Sequence, residues 1–185
     1  MKAQKIICWI LLLIVLDQTI KIIINSFFLE TQFDIIPSLF EFAPTFNDKH
    51  SWVNYLFYEN FNVNMGLWFH IILFLFIGII VSTFYGYCRN NIVENKKLLD
   101  ATFIFFTAGF VCALIGNLIW EKGTLDFIYL KPLFVFDLKD LYINCCFIPL
   151  FLIYANKNRE QIRTIKIKNV IDYIKEKLKI TQKQK

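Results

Sequence analysis

The sequence predicts an all-α integral membrane protein built on four transmembrane helices. Three observations carry that reading. The 185-residue chain is 57% hydrophobic, with 21 Phe but only six Gly and four Pro, too apolar for an ordinary soluble domain of this length. The apolar residues gather into long runs, several of which supply the roughly 20 residues needed to cross a hydrocarbon core about 30 Å thick. Lys and Arg are also distributed very unevenly between the connections that join those runs.

The first span is expected over about residues 6–28, after Lys2 and Lys5. Asp17 and Lys21 lie inside it, and no small-residue cleavage site follows, so it reads as a retained helix and not a removable leader. Residues 29–66 form a polar-aromatic connection holding Pro37, Pro44 and several Asn. The second span covers about 67–87 and the third about 101–120, joined by a charged loop. Residues 121–139 are too mixed to cross lipid. The alternation over 125–129 and 133–136 suggests two short strands turning at Lys131-Pro132. The fourth span covers about 140–155. The expected organisation is therefore a membrane domain over 1–155 and a basic tail over 156–185 with helical, amphipathic character.

The 88–100 loop and the tail together hold thirteen Lys or Arg, against Lys49 alone in residues 29–66. The positive-inside rule then places both termini and the 88–100 loop in the cytoplasm. Connections 29–66 and 121–139 share the outer face. A basic segment just after a transmembrane helix binds anionic headgroups, so membrane lipid and not nucleic acid is the expected partner of the tail. The five Cys show neither a disulfide framework nor metal-type spacing. Two His (His50 and His70) are too few for a histidine-built metal centre, so no metal is expected. No Ser-His or Cys-His arrangement and no Gly-rich phosphate loop is present.

Chemistry therefore falls to a few charges in an apolar chain. An ionisable group within a membrane span costs a few kcal/mol. Asp17 and Lys21, four apart, share one helix face and partly neutralise each other. They are either a self-satisfied pair near the outer interface or a pair facing a polar cavity. Asn117, near the end of the third span, is either a hydrogen bond between helices or a support for a site. Asp126 and Asp140 bracket the two-strand excursion, which returns both to the same membrane level. Two facing carboxylates share a proton and their pKa values split, giving a base for water and an acid toward a carbonyl. The alternative is a pair of solvated groups at helix ends.

Read together, five segments resemble the lipoprotein signal peptidase (signal peptidase II) family. They are DQTIK (Asp17 to Lys21), NMG (Asn64 to Gly66), GNLI (Gly116 to Ile119), LDFI (Leu125 to Ile128) and FDLKD (Phe136 to Asp140). The resemblance covers about residues 5–155. It implies an aspartic endopeptidase of the bacterial inner membrane that removes signal peptides from diacylglyceryl-modified prolipoproteins, without metal or cofactor. Asp126 and Asp140 would be the catalytic pair, with Asp17, Lys21, Asn64 and Asn117 supporting them. An extracytoplasmic β-cradle and an amphipathic helix would occupy parts of 29–66 and 121–139, and a monomer is expected. The chain departs from the family pattern in two places. Trp120-Glu121 stands where Asp-Arg is usual, and Phe-Asn-x-Ala-Asp has become Phe136-Asp137-Leu138-Lys139-Asp140. Those departures keep two other readings in view: a non-catalytic paralogue that binds lipoprotein or lipid, and an unrelated membrane transport or assembly subunit.

Overall fold

The computed structural model describes residues 1–48, 52–63, 65–91, 95–120, 122–155 and 166–183. Asn64 and Glu121 lie outside the described residues. Helix α1 spans Ala3–Ile23 and continues as a π-helical turn over Ile24–Phe28. Strands β1 (Phe33–Ile36) and β2 (Phe40–Asn47) follow, then helices α2 (Trp52–Phe61), α3 (Gly66–Asn91) and α4 (Lys96–Ile119). Strands β3 (Thr124–Leu130) and β4 (Phe134–Phe136) lead into α5 (Leu138–Ala155), and α6 covers Ile167–Lys183.

Among the described residues, four helical segments are long and apolar enough to cross a membrane: Ala3–Phe28, Gly66–Asn91, Lys96–Ile119 and Leu138–Ala155. Their exposure is inverted relative to a soluble bundle. In α1, Asp17 and Lys21 are fully buried while Val15 is 60% exposed. Apolar outer faces with charges turned inward suit a lipid solvent, where a solvated charge has no other refuge.

Helices α4 and α5 start before the sequence boundaries for local reasons. Helix α4 starts at Lys96 because the Asn95 side chain accepts the Leu98 N–H at 3.4 Å. Helix α5 starts at Leu138 because Asp137 and Asp140 bond reciprocally. The Asp137 side chain accepts the Asp140 N–H at 3.2 Å, and the Asp140 side chain accepts the Asp137 N–H at 3.3 Å. That is a capping box, which satisfies two otherwise orphaned N–H groups at a helix start.

Helix α4 is central and packs against α1, α3 and α5. Its contact face is made of small residues, with Ala108 and Cys112 fully buried. A Cβ on Gly109 would sit 2.8 Å from the Lys139 carbonyl oxygen and 2.8 Å from Ile143 Cγ1. The missing side chain is what lets the first turn of α5 lie directly on α4.

The strands form one antiparallel sheet in the order β1-β2-β3-β4. The expected strands around Lys131-Pro132 are β3 and β4, and the 29–66 connection contributes the other two. Thr45 pairs with Asp126, and Asn47 pairs with Thr124. The β2 register shifts between Phe42 and Thr45, where Pro44 has no N–H to give the ladder. At the outer edge, Lys131 Nζ reaches Asp34 at 2.5 Å and Glu41 at 2.7 Å, tying the β3–β4 turn to β1 and β2. The β3 residues Leu125 and Phe127 pack with Ile24 into a core between sheet and helices. Because side chains alternate along a strand, Asp126 is left on the opposite face.

The far end of the bundle is held differently. Buried Asp100 accepts Tyr85 Oη at 2.6 Å and Arg89 Nε at 2.8 Å, and it also pairs with the Met1 ammonium. Helix α6 packs there through Val170 and Tyr173 onto Tyr87, Cys88, Leu99 and Ile153.

Candidate active site

Asp126 reaches the site from the middle of β3 and Asp140 from the first turn of α5. One carboxylate oxygen from each of Asp126, Asp137 and Asp140 lies within 4.8 Å of the others. The two Asp residues singled out in the sequence are thus brought together, and Asp137 joins them as a third acid. Lys139 sits among the three, its Nζ 2.7 Å from Asp126 Oδ1, 2.9 Å from Asp137 Oδ2 and 3.3 Å from Asp140 Oδ2.

A second ammonium lies behind this cluster. Lys21 Nζ is 2.6 Å from Asp137 Oδ2 and 3.0 Å from Asp17 Oδ2, and all three side chains are fully buried. Of the two readings open for Asp17 and Lys21, neither is complete. The two residues ion-pair with each other, but Lys21 also reaches the site through Asp137. The chain continues outward, since Gln18 donates to Asp17 at 2.8 Å and Trp120 Nε1 donates to Gln18 at 3.4 Å. Trp120 also rests against the Phe46 ring, with centroids 6.3 Å apart. An indole that packs and donates one hydrogen bond thus fills the place at the end of the third span.

Among the described residues the acids of this site outnumber the cations. Asp17, Asp126, Asp137 and Asp140 face Lys21 and Lys139. Burial pushes the Asp126 carboxyl up from the usual 3.8 to about 6, against the pull of Lys139 and with a further push from Asp137. Burial acts on Asp137 in the same direction, but Lys139 and Lys21 outweigh it and hold that carboxyl below its usual value. Asp137 is therefore held as an anion by its two cations, whereas Asp126 takes up a proton more readily than an ordinary carboxyl.

Asp126, Lys139 and Asp140 line a cavity of about 490 Å³, whose other walls include Phe74, Phe110, Phe134 and Ile143. Mostly apolar walls with a few convergent polar groups are the usual form of a binding site. Asp17, Lys21 and Asn117 do not line it. Asn117 is buried and donates to the Ala113 carbonyl of its own helix at 2.9 Å. Asn64 lies outside the described residues, and its expected supporting role with it.

The cavity has three polar residues that the sequence reading passed over, Asn47, Thr124 and Asn144. Asn47, the last residue of β2, contributes to the wall beside Thr124 and Asp126. Its signal was weak, because it sits in an Asn-rich connection and only the β2–β3 pairing brings it to Asp126. Gly123, at φ +92°, makes that approach possible, since a Cβ there would lie 2.1 Å from the Asn47 carbonyl oxygen. Asn54 is also fully buried, and it accepts the Met65 N–H at 2.9 Å.

Two solved structures share this fold, both described as bacterial membrane enzymes obtained by the in meso method. One, at 1.9 Å resolution, has a TM-score of 0.63 and 16% identity over 82% of this chain and 92% of its own. The other, at 2.3 Å, has a TM-score of 0.59 and 17% identity over 82% of this chain and 87% of its own. No curated protein matches the sequence. Residues 9–156, which include the site and the four apolar helices except for the start of the first, match the signal peptidase (SPase) II family. The chain is a multi-pass membrane protein and belongs to the signal peptidase II family of peptidases.

Proposed function

We propose that this protein is an aspartic endopeptidase that cuts signal peptides from lipidated prolipoproteins, with Asp126 and Asp140 as its catalytic pair. The observation that carries the proposal is the convergence of the two carboxyls, within 4.8 Å, on the wall of an apolar cavity. A water held between two such groups is within reach of a general base and can attack a carbonyl carbon. Asp140 is the member turned to the cavity, with its side chain 37% exposed against 7% for Asp126. It is therefore assigned as the base. Asp17 and Lys21 support the pair at one remove, through Asp137.

The substrate class follows from the surroundings. A second cavity, of about 470 Å³, runs between α3 and α4 and shares Phe74 and Phe110 with the first. Its other walls include Leu75, Gly78, Ile79 and Val111. It lies within the membrane-spanning segments, and an acyl chain suits such a lining. A peptide carrying a diacylglyceryl-Cys would present its chains to this groove and its scissile bond to Asp126 and Asp140. With the Lys- and Arg-rich connections cytoplasmic, the sheet and the site face outward, as expected for an enzyme of the inner membrane.

The test is cleavage of a lipidated prolipoprotein by the purified protein in bilayers, beside Asp126→Asn and Asp140→Asn. Product cut before the lipid-bearing Cys, lost in both variants, is the expected result. Wild-type rates in either variant would remove the aspartic mechanism. Binding without cleavage by the wild type would turn the reading to a non-catalytic lipoprotein-binding paralogue.

A further inference from the structure

Two-carboxyl sites work because the acids share a proton, and nothing else nearby neutralises their mutual repulsion. In this chain something else does. The Lys139 ammonium occupies the point within hydrogen-bond reach of Asp126, Asp137 and Asp140. An ammonium has three N–H donors; hydrogen bonds to Asp126 and Asp140 take two of them, and the contact with Asp137 is an ion pair without hydrogen-bond geometry. The contacts are unequal. Those to Asp126 and Asp137, at 2.7 and 2.9 Å, go to the buried members, whereas that to Asp140, at 3.3 Å, goes to the exposed one. The third N–H is thus not held by a hydrogen bond to any of the three carboxylates, the bond to Asp140 is long at 3.3 Å, and Lys139 itself is part of the cavity wall.

We propose that Lys139 is a catalytic residue: its ammonium donates a hydrogen bond to the scissile carbonyl oxygen, the role a protonated aspartic acid would otherwise fill. The proposal rests on the peptidase reading above and deepens it. In the first step a water held by Asp140 attacks the carbonyl carbon. A C–O bond forms, the carbonyl π pair moves onto oxygen, and the water proton passes to Asp140. The oxyanion develops against the Lys139 N–H, which Asp126 and Asp137 hold in place. In the second step the oxygen pair re-forms the carbonyl, the C–N bond breaks, and the proton on Asp140 passes to the leaving nitrogen. One water is consumed, and Lys139, Asp126 and Asp140 end in their starting charge states. Asp126 then serves as an ionised anchor, consistent with a carboxyl that titrates at about 6.

The two schemes predict opposite pH behaviour, which a merely structural lysine would not produce. If Lys139 is the donor, wild-type kcat falls as pH drops through about 6, where Asp126 takes a proton and releases the ammonium. It then stays level from there to about pH 9, because an ion-paired lysine keeps its charge. Lys139→Ala should lose about 100-fold or more in kcat, the usual cost of one oxyanion donor, with KM changed far less. Its residual activity should need a protonated carboxyl, and so decline as pH rises. Lys139→Arg keeps a cation and should retain more activity than Lys139→Ala.

The experiment is kcat and KM of wild type, Lys139→Ala and Lys139→Arg on a lipidated prolipoprotein in bilayers, from about pH 5 to pH 9. Should Lys139→Ala fail to fold, Asp137→Asn/Lys139→Ala removes one acid with the cation and carries the same test. The expected result is an inverted pH profile in whichever variant lacks the ammonium. An unchanged kcat, or a loss of kcat with the wild-type profile intact, would overturn the assignment. If Asp126→Asn and Asp140→Asn are inactive while Lys139→Ala cleaves normally, only this inference fails. If those two Asp variants also cleave normally, the peptidase reading fails with it.

Discussion

Lys21 Nζ lies 2.6 Å from Asp137 Oδ2, which joins the last turn of α1 to the residue that caps α5. Every residue that reaches the cavity from α5 depends on that cap, because Asp137 fixes where the helix starts and therefore where Lys139 and Asp140 point. The positioning of the site thus begins on a helix that does not line it.

Removing that link should be costly. Lys21→Met leaves Asp17 buried without its partner and strips one of two cations from Asp137. Breaking a buried pair by deleting one member typically costs about 3–5 kcal/mol. The variant should show a large fall in thermal midpoint in detergent and little cleavage. Asp17→Asn/Lys21→Met removes the orphaned charge, and Asp137 still has Lys139 at 2.9 Å. The double variant should recover more than half of the lost stability; a double no better than the single would show that the pair does not act as a unit.

Asp126 should reveal a conflict between stability and function. Its carboxyl binds a proton more tightly in the folded chain, at about 6, than in the unfolded one, at the usual 3.8. The sign follows from linkage. Below the unfolded value both states are protonated and nothing is lost, while stability declines as pH rises from about 4 to about 6 and stays reduced above that. A tenfold difference in proton affinity is worth about 1.4 kcal/mol, so the neutral-pH penalty is about 3 kcal/mol at most. Asp126→Asn should therefore be inactive yet more heat-resistant than wild type at about pH 7.5, with the difference vanishing near pH 4. Equal midpoints at both pH values would mean that the buried carboxyl is not strained. Lys139 keeps Asp137 and Asp140 as partners in that variant, so the comparison is not clouded by an abandoned cation.

Much of this was legible in the sequence, and the reason is physical. A membrane forces helices to declare themselves by length and apolarity, so the four helices could be read to within a few residues. A charge in such a segment is conspicuous for the same reason, which is how Asp17 and Lys21 were found. Asp126 and Asp140 were legible as a pair because the strand alternation around Lys131-Pro132 closes the excursion between them. Strands β1 and β2 were harder, since Pro44 interrupts the alternation and a bulge follows. Asn47 was missed with them, because its place in the cavity depends on the pairing with β3 and on nothing local. The position of Lys139 was unreadable for a different reason. Its effect on the acids could be anticipated from adjacency, but its reach to three carboxylates depends on the first turn of α5, which begins at a capping box.

The groove between α3 and α4 offers a test of substrate recognition separate from the chemistry. A Cβ on Gly78 would meet Phe110 Cε1 at 3.6 Å, an ordinary contact, so a larger side chain there need not push the helices apart. Gly78→Leu should occupy part of the groove that the acyl chains are proposed to use. One or two methylene groups of lost contact are worth about 1–3 kcal/mol, or roughly 10- to 200-fold in discrimination. KM for a diacylated substrate should rise about tenfold or more, with kcat within about twofold, since Gly78 lines the second cavity whereas Asp126 and Asp140 line the first. An unchanged KM would place the lipid elsewhere.

The tail separates the two ends of the molecule most sharply. Helix α6 touches the bundle where Asp100, Arg89 and Tyr85 close it: Tyr173 Oη accepts from Asn90 Nδ2 at 3.1 Å, and its ring lies 5.8 Å from that of Tyr87. The sheet and the cavity are at the opposite end. Truncation after Ala155 therefore removes the packing of Val170 and Tyr173 on Tyr87 and Leu99. Burial of two such side chains is worth about 3–6 kcal/mol at most, and less where they are only partly covered. The truncated protein should melt at a lower temperature but cleave within about threefold of the full chain at a temperature where both are folded. A well-folded truncation that had lost turnover would mean that α6 acts on the site through the bundle, since Val170 and Tyr173 pack at the far end.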